Sequence, residues 1–75
     1  VNENGRRAYL ITLEEAKNIA LMYSEISEDE ISYTKLELEY EDGIAEYEVE
    51  FYLGGKEYSL TIDAVSGTVT EMEME

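Results

Sequence analysis

The stretch LELEYEDGIAEYEVEFYLGGKEYSLTI, residues 36–62, decides the fold. Apolar and polar residues alternate along it, and a period of two is the signature of a half-buried β-strand. Two pairs of turn residues interrupt the alternation, Asp42-Gly43 and Gly54-Gly55, and both are typical of two-residue hairpin turns. The stretch therefore predicts three antiparallel strands joined by tight turns.

The two turns also fix a register that the apolar pattern can check. They place apolar residues opposite one another on a shared face: 40 with 45, 38 with 47 and 36 with 49 across the first turn, and 51 with 58, 49 with 60 and 47 with 62 across the second. Because a slip of one residue would move every side chain to the other face, this agreement favours an antiparallel meander.

The ends of the sheet are less regular. Ile31 and Tyr33 are out of phase with the later residues of the first strand, which predicts a β-bulge near Thr34 or Lys35. A fourth strand is expected from Thr68 to about Met74. Its apolar residues at 69 and 72 cannot both point inward without a second bulge.

A helix is predicted over residues 13–24, ahead of the strands. Thr12 is followed three residues later by Glu15, the spacing of a capping box. Five residues then follow helical spacing: Leu13, Ala16, Ile19, Ala20 and Tyr23. Residues 25–30 form a connector in which one helical turn is plausible.

The predicted fold class is α+β, with one N-terminal helix packed on one face of a four-stranded antiparallel β-meander. The order is α-β-β-β-β in two layers, and the other sheet face is open to water. Residues 1–10 are expected to be a polar N-terminal tail and residues 11–75 the domain. Six tyrosines are expected in the core or at its rim: Tyr9, Tyr23, Tyr33, Tyr40, Tyr47 and Tyr58.

Composition excludes several classes of function. The chain of 75 residues has a net charge of −14 and contains no His, Cys, Pro or Trp. Chemistry that needs imidazole or thiol groups is therefore absent, including His or Cys metal ligands. Strong negative charge disfavours nucleic acid and anionic membrane surfaces as direct partners. It also opposes self-association, so we expect a monomer or a weak dimer.

The same register predicts an acidic open face. Glu37 lies opposite Glu48, Glu39 lies opposite Glu46, and Lys35 faces Glu50. The candidate partner-binding residues are Glu37, Glu39, Glu46, Glu48, Glu50 and Tyr52. One interpretation is that the carboxylates keep the chain soluble and block edge pairing. The other is that they attract a protein with a basic surface, with Tyr52 as an aromatic anchor.

No catalytic, cofactor or metal site is predicted. Carboxylates on a flat, wet face titrate as ordinary acids, whereas acid–base catalysis needs a pocket that separates their pKa values. Glu28-Asp29-Glu30 and the rows of Glu lack the loop of a calcium site. An acidic cation-binding or sensing module remains an alternative, and saturable Ca²⁺ binding would distinguish it.

Four segments in order resemble the PepSY domain: ITLEEAKNIA (11–20), YEVEF (47–51), GKEY (55–58) and IDAVSG (62–67). The resemblance spans about residues 11–74. It implies a domain of the kind found in propeptides of thermolysin-like metallopeptidases and in bacterial secreted or envelope proteins, with no catalytic motif. The layout is also similar to one repeat of the β-lactamase inhibitor proteins, which is an analogy of fold. The density of Glu is unusual for the family.

The function expected from this resemblance is non-catalytic. The chain would be a protein-interaction module that restrains or inhibits a secreted or envelope peptidase through its open acidic face. Its location would be extracytoplasmic, since the family occurs in secreted and envelope proteins. The alternative is a structural spacer or regulatory module of a larger bacterial envelope protein, without inhibitory activity. What precedes Val1 would help to distinguish the two.

Overall fold

Residues 9–75 are described by the computed structural model of the chain. Its elements are α1 (Leu13–Ser24), a short 3₁₀ helix (Glu28–Glu30), β1 (Ser32–Glu41), β2 (Ile44–Leu53), β3 (Lys56–Asp63) and β4 (Val69–Met74). The strands form one antiparallel sheet in the order β1-β2-β3-β4, and α1 packs on one of its faces. The predicted α+β meander is confirmed.

The proposed tail falls almost entirely outside the described residues. Only Tyr9 and Leu10 of residues 1–10 are described, and neither belongs to a helix or a strand. The division into a tail and a domain stays a prediction.

The start of α1 is the predicted capping box. Thr12 Oγ1 accepts a hydrogen bond from Glu15 N at 3.1 Å, and Glu15 Oε1 accepts one from Thr12 N at 2.8 Å. Two bonds join the residue before the cap to the sheet. Ile11 N donates to Ala64 O at 2.7 Å, and the Tyr47 hydroxyl donates to Ile11 O at 2.9 Å. The beginning of the helix is therefore fixed both by its own cap and by the strands below it.

The first hairpin has the turn that its sequence predicts. Asp42 and Gly43 both have positive φ, 53° and 78°, as a type I′ turn requires. β1 and β2 then pair in the predicted register, with Leu38 opposite Tyr47. The second hairpin is also confirmed, with Phe51 opposite Tyr58.

The bulge predicted in β1 is confirmed, and β4 also contains a bulge, which settles the register that its sequence left open. In β1 the pairing shifts between Tyr33 and Lys35, so Thr34 is the extra residue. In β4 it shifts between the partners of Thr61 and Ile62, which leaves Thr70 as the extra residue. This second bulge lets Val69 and Met72 lie on the same face of the sheet, opposite Ile62 and Leu60.

The core lies between α1 and the two central strands. The largest fully buried side chains are those of Phe51, Leu60, Ile62 and Val49. Burying each such side chain contributes about 1.5–3 kcal/mol. The helix supplies small residues, Ala16 and Ala20, which are also fully buried. Aromatic rings extend this core, because Phe51 stacks on Tyr58 at 5.1 Å and meets the edge of Tyr33 at 6.3 Å.

The predicted tyrosine positions are confirmed in part. Tyr47 is buried, while Tyr33 and Tyr58 are half-buried against the core. Tyr9, Tyr23 and Tyr40 are mostly exposed, so the expectation was wrong for them. For Tyr40, near the end of β1, the reason is that α1 does not cover the whole length of the strand. A helix of 12 residues is shorter than a strand of ten, since a helix rises about 1.5 Å per residue and a strand about 3.3 Å. Tyr9 lies ahead of α1 and Tyr23 lies on α1 itself.

Candidate functional site

The side of the sheet opposite α1 carries a dense set of carboxylates, which we call the acidic face. Its acidic residues alternate along the strands with the core residues. They are Glu37, Glu39 and Glu41 on β1, Glu46, Glu48 and Glu50 on β2, Glu57 and Asp63 on β3, and Glu71 and Glu73 on β4. Ten of the 19 acidic residues of the chain thus share one face of the sheet.

The five glutamates proposed from the sequence lie together on this face. Glu37 pairs with Glu48 and Glu39 with Glu46 across β1 and β2, as expected. Side chains directly opposite one another in a sheet are close enough for like charges to destabilise the pairing. Their role in binding a partner stays a prediction.

Lys35 offsets part of this repulsion. It lies opposite Glu50, as predicted, but its ammonium group turns toward other carboxylates. Lys35 Nζ is 2.8 Å from Glu48 Oε1, 3.6 Å from Glu39 Oε2 and 4.0 Å from Glu37 Oε1. One cation therefore bridges carboxylates of both strands at the β1 side of the acidic face.

The surroundings of these charged groups shift the pKa values of Lys35 and Glu39. The pKa of Lys35 is raised, first by its hydrogen bond to Glu48 and then by the neighbouring carboxylate charges, which outweigh desolvation. The pKa of Glu39 is also raised, first by desolvation and next by the charge of Glu48. Glu39 therefore takes up a proton more readily than a free glutamate does.

The β3 and β4 side of the acidic face forms a shallow depression. Its lining residues are Glu50, Glu57, Ser59, Glu73 and Glu75. Within residues 9–75, no lysine forms an ion pair with any of these carboxylates. This part of the acidic face therefore lacks the partial neutralisation that Lys35 gives to the β1 side.

Sequence reasoning missed four members of this depression: Glu57, Ser59, Glu73 and Glu75. A signal for Glu57 and Ser59 was present, because the register of the second hairpin places them opposite Tyr52 and Glu50. Glu73 depends on the bulge at Thr70, which fixes where β4 lies against β3. The backbone of Glu75 exchanges two hydrogen bonds of 2.8 Å with Glu57, which brings the end of the described chain beside the depression.

Tyr52 lies near the end of β2, between Ser32 and Glu57. Its side chain is 48% exposed, so it offers a large aromatic surface beside the carboxylates. Tyrosine is enriched among the residues that dominate protein–protein binding energy. The position agrees with the proposed anchor, and the binding role is untested.

A second polar cluster joins α1 to the start of β1. Lys17 Nζ lies 3.3 Å from Glu14 and 3.4 Å from Glu28, and 5.0 Å from the centre of the Tyr33 ring. The Tyr33 hydroxyl donates to Glu28 at 3.1 Å. Desolvation, followed by this hydrogen bond, raises the pKa of Tyr33 to about 12. These contacts hold the connector against the helix and the sheet.

Two further observations concern the described part of the chain. Within residues 9–75, no group of three or more acidic side chains has the geometry to hold a metal ion. Over the same range, α1 and the 3₁₀ helix are both too short and too polar to cross a membrane.

Comparison with known proteins finds matches that cover most of the chain. The family model PepSY, described as "Peptidase propeptide and YPEB domain", matches residues 10–73. A protein of Streptococcus pyogenes serotype M6, described as "Uncharacterized protein Spy1430", is 40% identical over 62 residues. This alignment covers 83% of the chain and 48% of the relative, so the chain spans about half the length of the curated protein it matches. No solved structure matches the chain.

Proposed function

Because this chain belongs to the PepSY family, the peptidase propeptide and YPEB domain family, we propose that it is a non-catalytic module that restrains a peptidase. The family match carries this proposal, since it spans nearly all of the chain. The fold supports it, because a sheet with one open face offers a broad surface for a protein partner. In keeping with the resemblance, we place this activity outside the cytoplasm.

The acidic face is the surface we propose for the contact. Electrostatic complementarity speeds association and selects partners with the opposite charge. The depression around Glu50 and Glu73 is strongly negative, and Tyr52 stands exposed on the same side of the sheet. A peptidase with a basic patch near its active-site cleft would match these features.

The test is a titration of peptidase activity. A secreted metallopeptidase from the same organism is assayed with increasing amounts of the chain. We expect saturable inhibition that weakens as salt is added, because salt screens exposed charges. Absence of inhibition at any concentration would contradict the proposal.

A pair of matched variants locates the contact. Glu50→Gln with Glu73→Gln removes two charges from the acidic face, and this double variant should inhibit more weakly. Glu25→Gln with Glu30→Gln removes two charges from exposed positions outside the sheet, and inhibition should remain unchanged. Equal inhibition by both double variants would place the contact elsewhere.

A second candidate function is a spacer or regulatory module of a longer envelope protein. The observation that favours it is the length of the Streptococcus pyogenes relative, of which the match covers 48%. Under this alternative the chain would leave peptidase activity unchanged. Removing the domain from the full-length protein would instead alter the placement or the regulation of the remaining part.

A further inference from the structure

Strand β1 lies at an edge of the sheet. Within residues 9–75 it pairs only with β2, so one side of its backbone has no strand beside it. From Lys35 to Glu41 the pairing with β2 is regular, without a bulge. An edge of this kind presents a row of N–H and C=O groups on which another strand can form.

The register identifies which groups point outward. In a two-residue hairpin the closing pair, here Glu41 with Ile44, is hydrogen-bonded, and bonded and non-bonded pairs then alternate. Ala45 O accepts from Ala64 N, which confirms that Ala45 turns its carbonyl toward β3 and away from β1. The residues of β1 whose backbone groups point away from β2 are therefore Leu36, Leu38 and Tyr40.

The opposite edge of the sheet is less suited to accept a strand. β4 has six residues, against ten in β1, and the bulge at Thr70 interrupts it. The Thr70 hydroxyl donates to Thr61 O across this bulge. Short strands and bulges are features that protect an edge from further pairing.

The side chains of β1 define what the new strand must carry. On the side of the acidic face lie Glu37, Glu39 and Glu41, which outnumber the one cation of the strand, Lys35, and on the other side lie Leu36, Leu38 and Tyr40. Leu38 is 38% exposed and Tyr40 is 68% exposed, so α1 leaves both uncovered. Residues opposite one another in a sheet point to the same face. A matching strand would thus place cations beside the carboxylates and apolar side chains beside Leu38 and Tyr40.

We propose that the edge of β1 binds an extended segment with Lys or Arg at every second position and apolar residues between them. The segment adds one strand to the sheet. A second copy of the chain fits poorly, because antiparallel pairing centred on Leu38 would set Glu37 against Glu39 of that copy. This surface is the edge of the sheet, and its use does not depend on inhibition of a peptidase.

The probe is the synthetic peptide KVKIKVK with blocked ends, compared with KKKKVIV, which has the same composition without the alternation. We expect saturable binding of the first peptide and binding about tenfold weaker for the second. Binding of the first should weaken with salt. Equal affinity for the two peptides would show attraction by charge alone and would overturn the proposal.

Amide hydrogen exchange locates the bound strand. In the free protein the amides of Glu37 and Glu39, which face β2, should exchange slowly, while those of Leu36, Leu38 and Tyr40 exchange fast. Saturating KVKIKVK should slow the three fast amides by about tenfold or more. Slowing confined to residues of β3 and β4 would overturn the proposal. So would slowing that grows with protein concentration in the absence of peptide, since a second copy would then occupy the edge.

Two variants complete the test. Leu38→Pro removes an outward N–H without removing a bond to β2, and proline is tolerated at such edge positions. It should abolish binding of KVKIKVK while far-UV circular dichroism is retained. Glu37→Gln with Glu39→Gln should weaken binding without any change to the backbone. Glu25→Gln with Glu30→Gln is the matched control and should bind like the parent chain. Full binding of KVKIKVK by both β1 variants would exclude the edge of β1 as the binding site.

Discussion

At the scale of single residues, Lys35 and Asp63 each hold several polar groups in place. Lys35 bridges carboxylates of β1 and β2. Asp63 Oδ1 accepts from Val65 N at 2.8 Å and from Ser66 N at 2.9 Å, which fixes the turn before β4. These backbone bonds, that from Ser66 first, hold the pKa of Asp63 below its usual value of 3.8. The sheet thus depends on a few polar contacts at defined positions.

Replacing Lys35 should expose the repulsion that it offsets. Lys35→Gln is expected to lower the melting temperature at low salt, because Glu37, Glu39 and Glu48 lose their shared cation. Lys56→Gln is the control, since Lys56 forms no ion pair within residues 9–75. Thermal denaturation at low and high salt checks this. An equal loss of melting temperature in both variants would contradict the bridging role of Lys35. So would a loss in Lys35→Gln that is unchanged at high salt.

Buried and exposed isoleucines offer a second comparison. Ile62 is fully buried and Ile44 is 51% exposed. Ile62→Val should lower the free energy of unfolding by about 0.5–1.5 kcal/mol through the lost methylene and the cavity it leaves. Ile44→Val should have a much smaller effect. Urea denaturation measures both variants. Equal losses of unfolding free energy would contradict the position of Ile62 in the core.

At the scale of elements, features with a local signal follow from the sequence, and features that depend on packing between elements do not. The capping box at Thr12, the Asp42-Gly43 turn and the alternation through β2 are local signals, so they predicted α1 and both hairpins. The depression at Glu73 depends on Thr70 being the bulged residue of β4, and that choice is made by packing against β3. The exposure of Tyr40 depends likewise on how far α1 extends over the sheet.

The capping box gives a prediction for α1. Thr12→Ala removes the acceptor for Glu15 N and should lower the free energy of unfolding by about 1 kcal/mol. Asn18→Ala, at an exposed position inside the helix, should be neutral or stabilising, because alanine has the higher helix propensity. Chemical denaturation with far-UV circular dichroism checks the pair. An unchanged stability for Thr12→Ala would mean that the contacts of Ile11 alone fix the start of the helix.

At the scale of the whole molecule, the fold determines where the acidic residues behind the net charge of −14 lie. The strands place ten of the 19 acidic residues on the acidic face, and the core residues between them point to the other face. These carboxylates lie beside the exposed Tyr52, and together they support the proposed contact with a basic partner.

The titration of this surface predicts a maximum of stability at mildly acidic pH. The pKa of Glu39 is raised above 4.5, so the folded state binds its proton first and stability increases as the pH falls through that raised pKa. The pKa of Asp63 is lowered below 3.8, so its contribution is present above 3.8 and is lost as the pH falls through the lowered pKa. Thermal denaturation from pH 7 downward should show the rise and then the fall.

Two variants separate the rise of stability at mildly acidic pH from the fall at lower pH. Glu39→Gln should reduce the rise, because the residue that takes up the proton is gone. Asp63→Asn should reduce the fall at lower pH, since the amide does not titrate. A stability that declines steadily from pH 7 would contradict the assignment of the rise to Glu39.

We propose that the acidic face is the surface on which a peptidase binds. The most direct measurement is the map of amide chemical-shift changes when unlabelled metallopeptidase is added to the ¹⁵N-labelled chain. We expect changes at Glu48, Glu50, Ser59 and Glu73, with Ala16 and Ala20 of α1 unaffected. Changes confined to α1 and the connector would contradict it, because the face opposite the carboxylates would then make the contact.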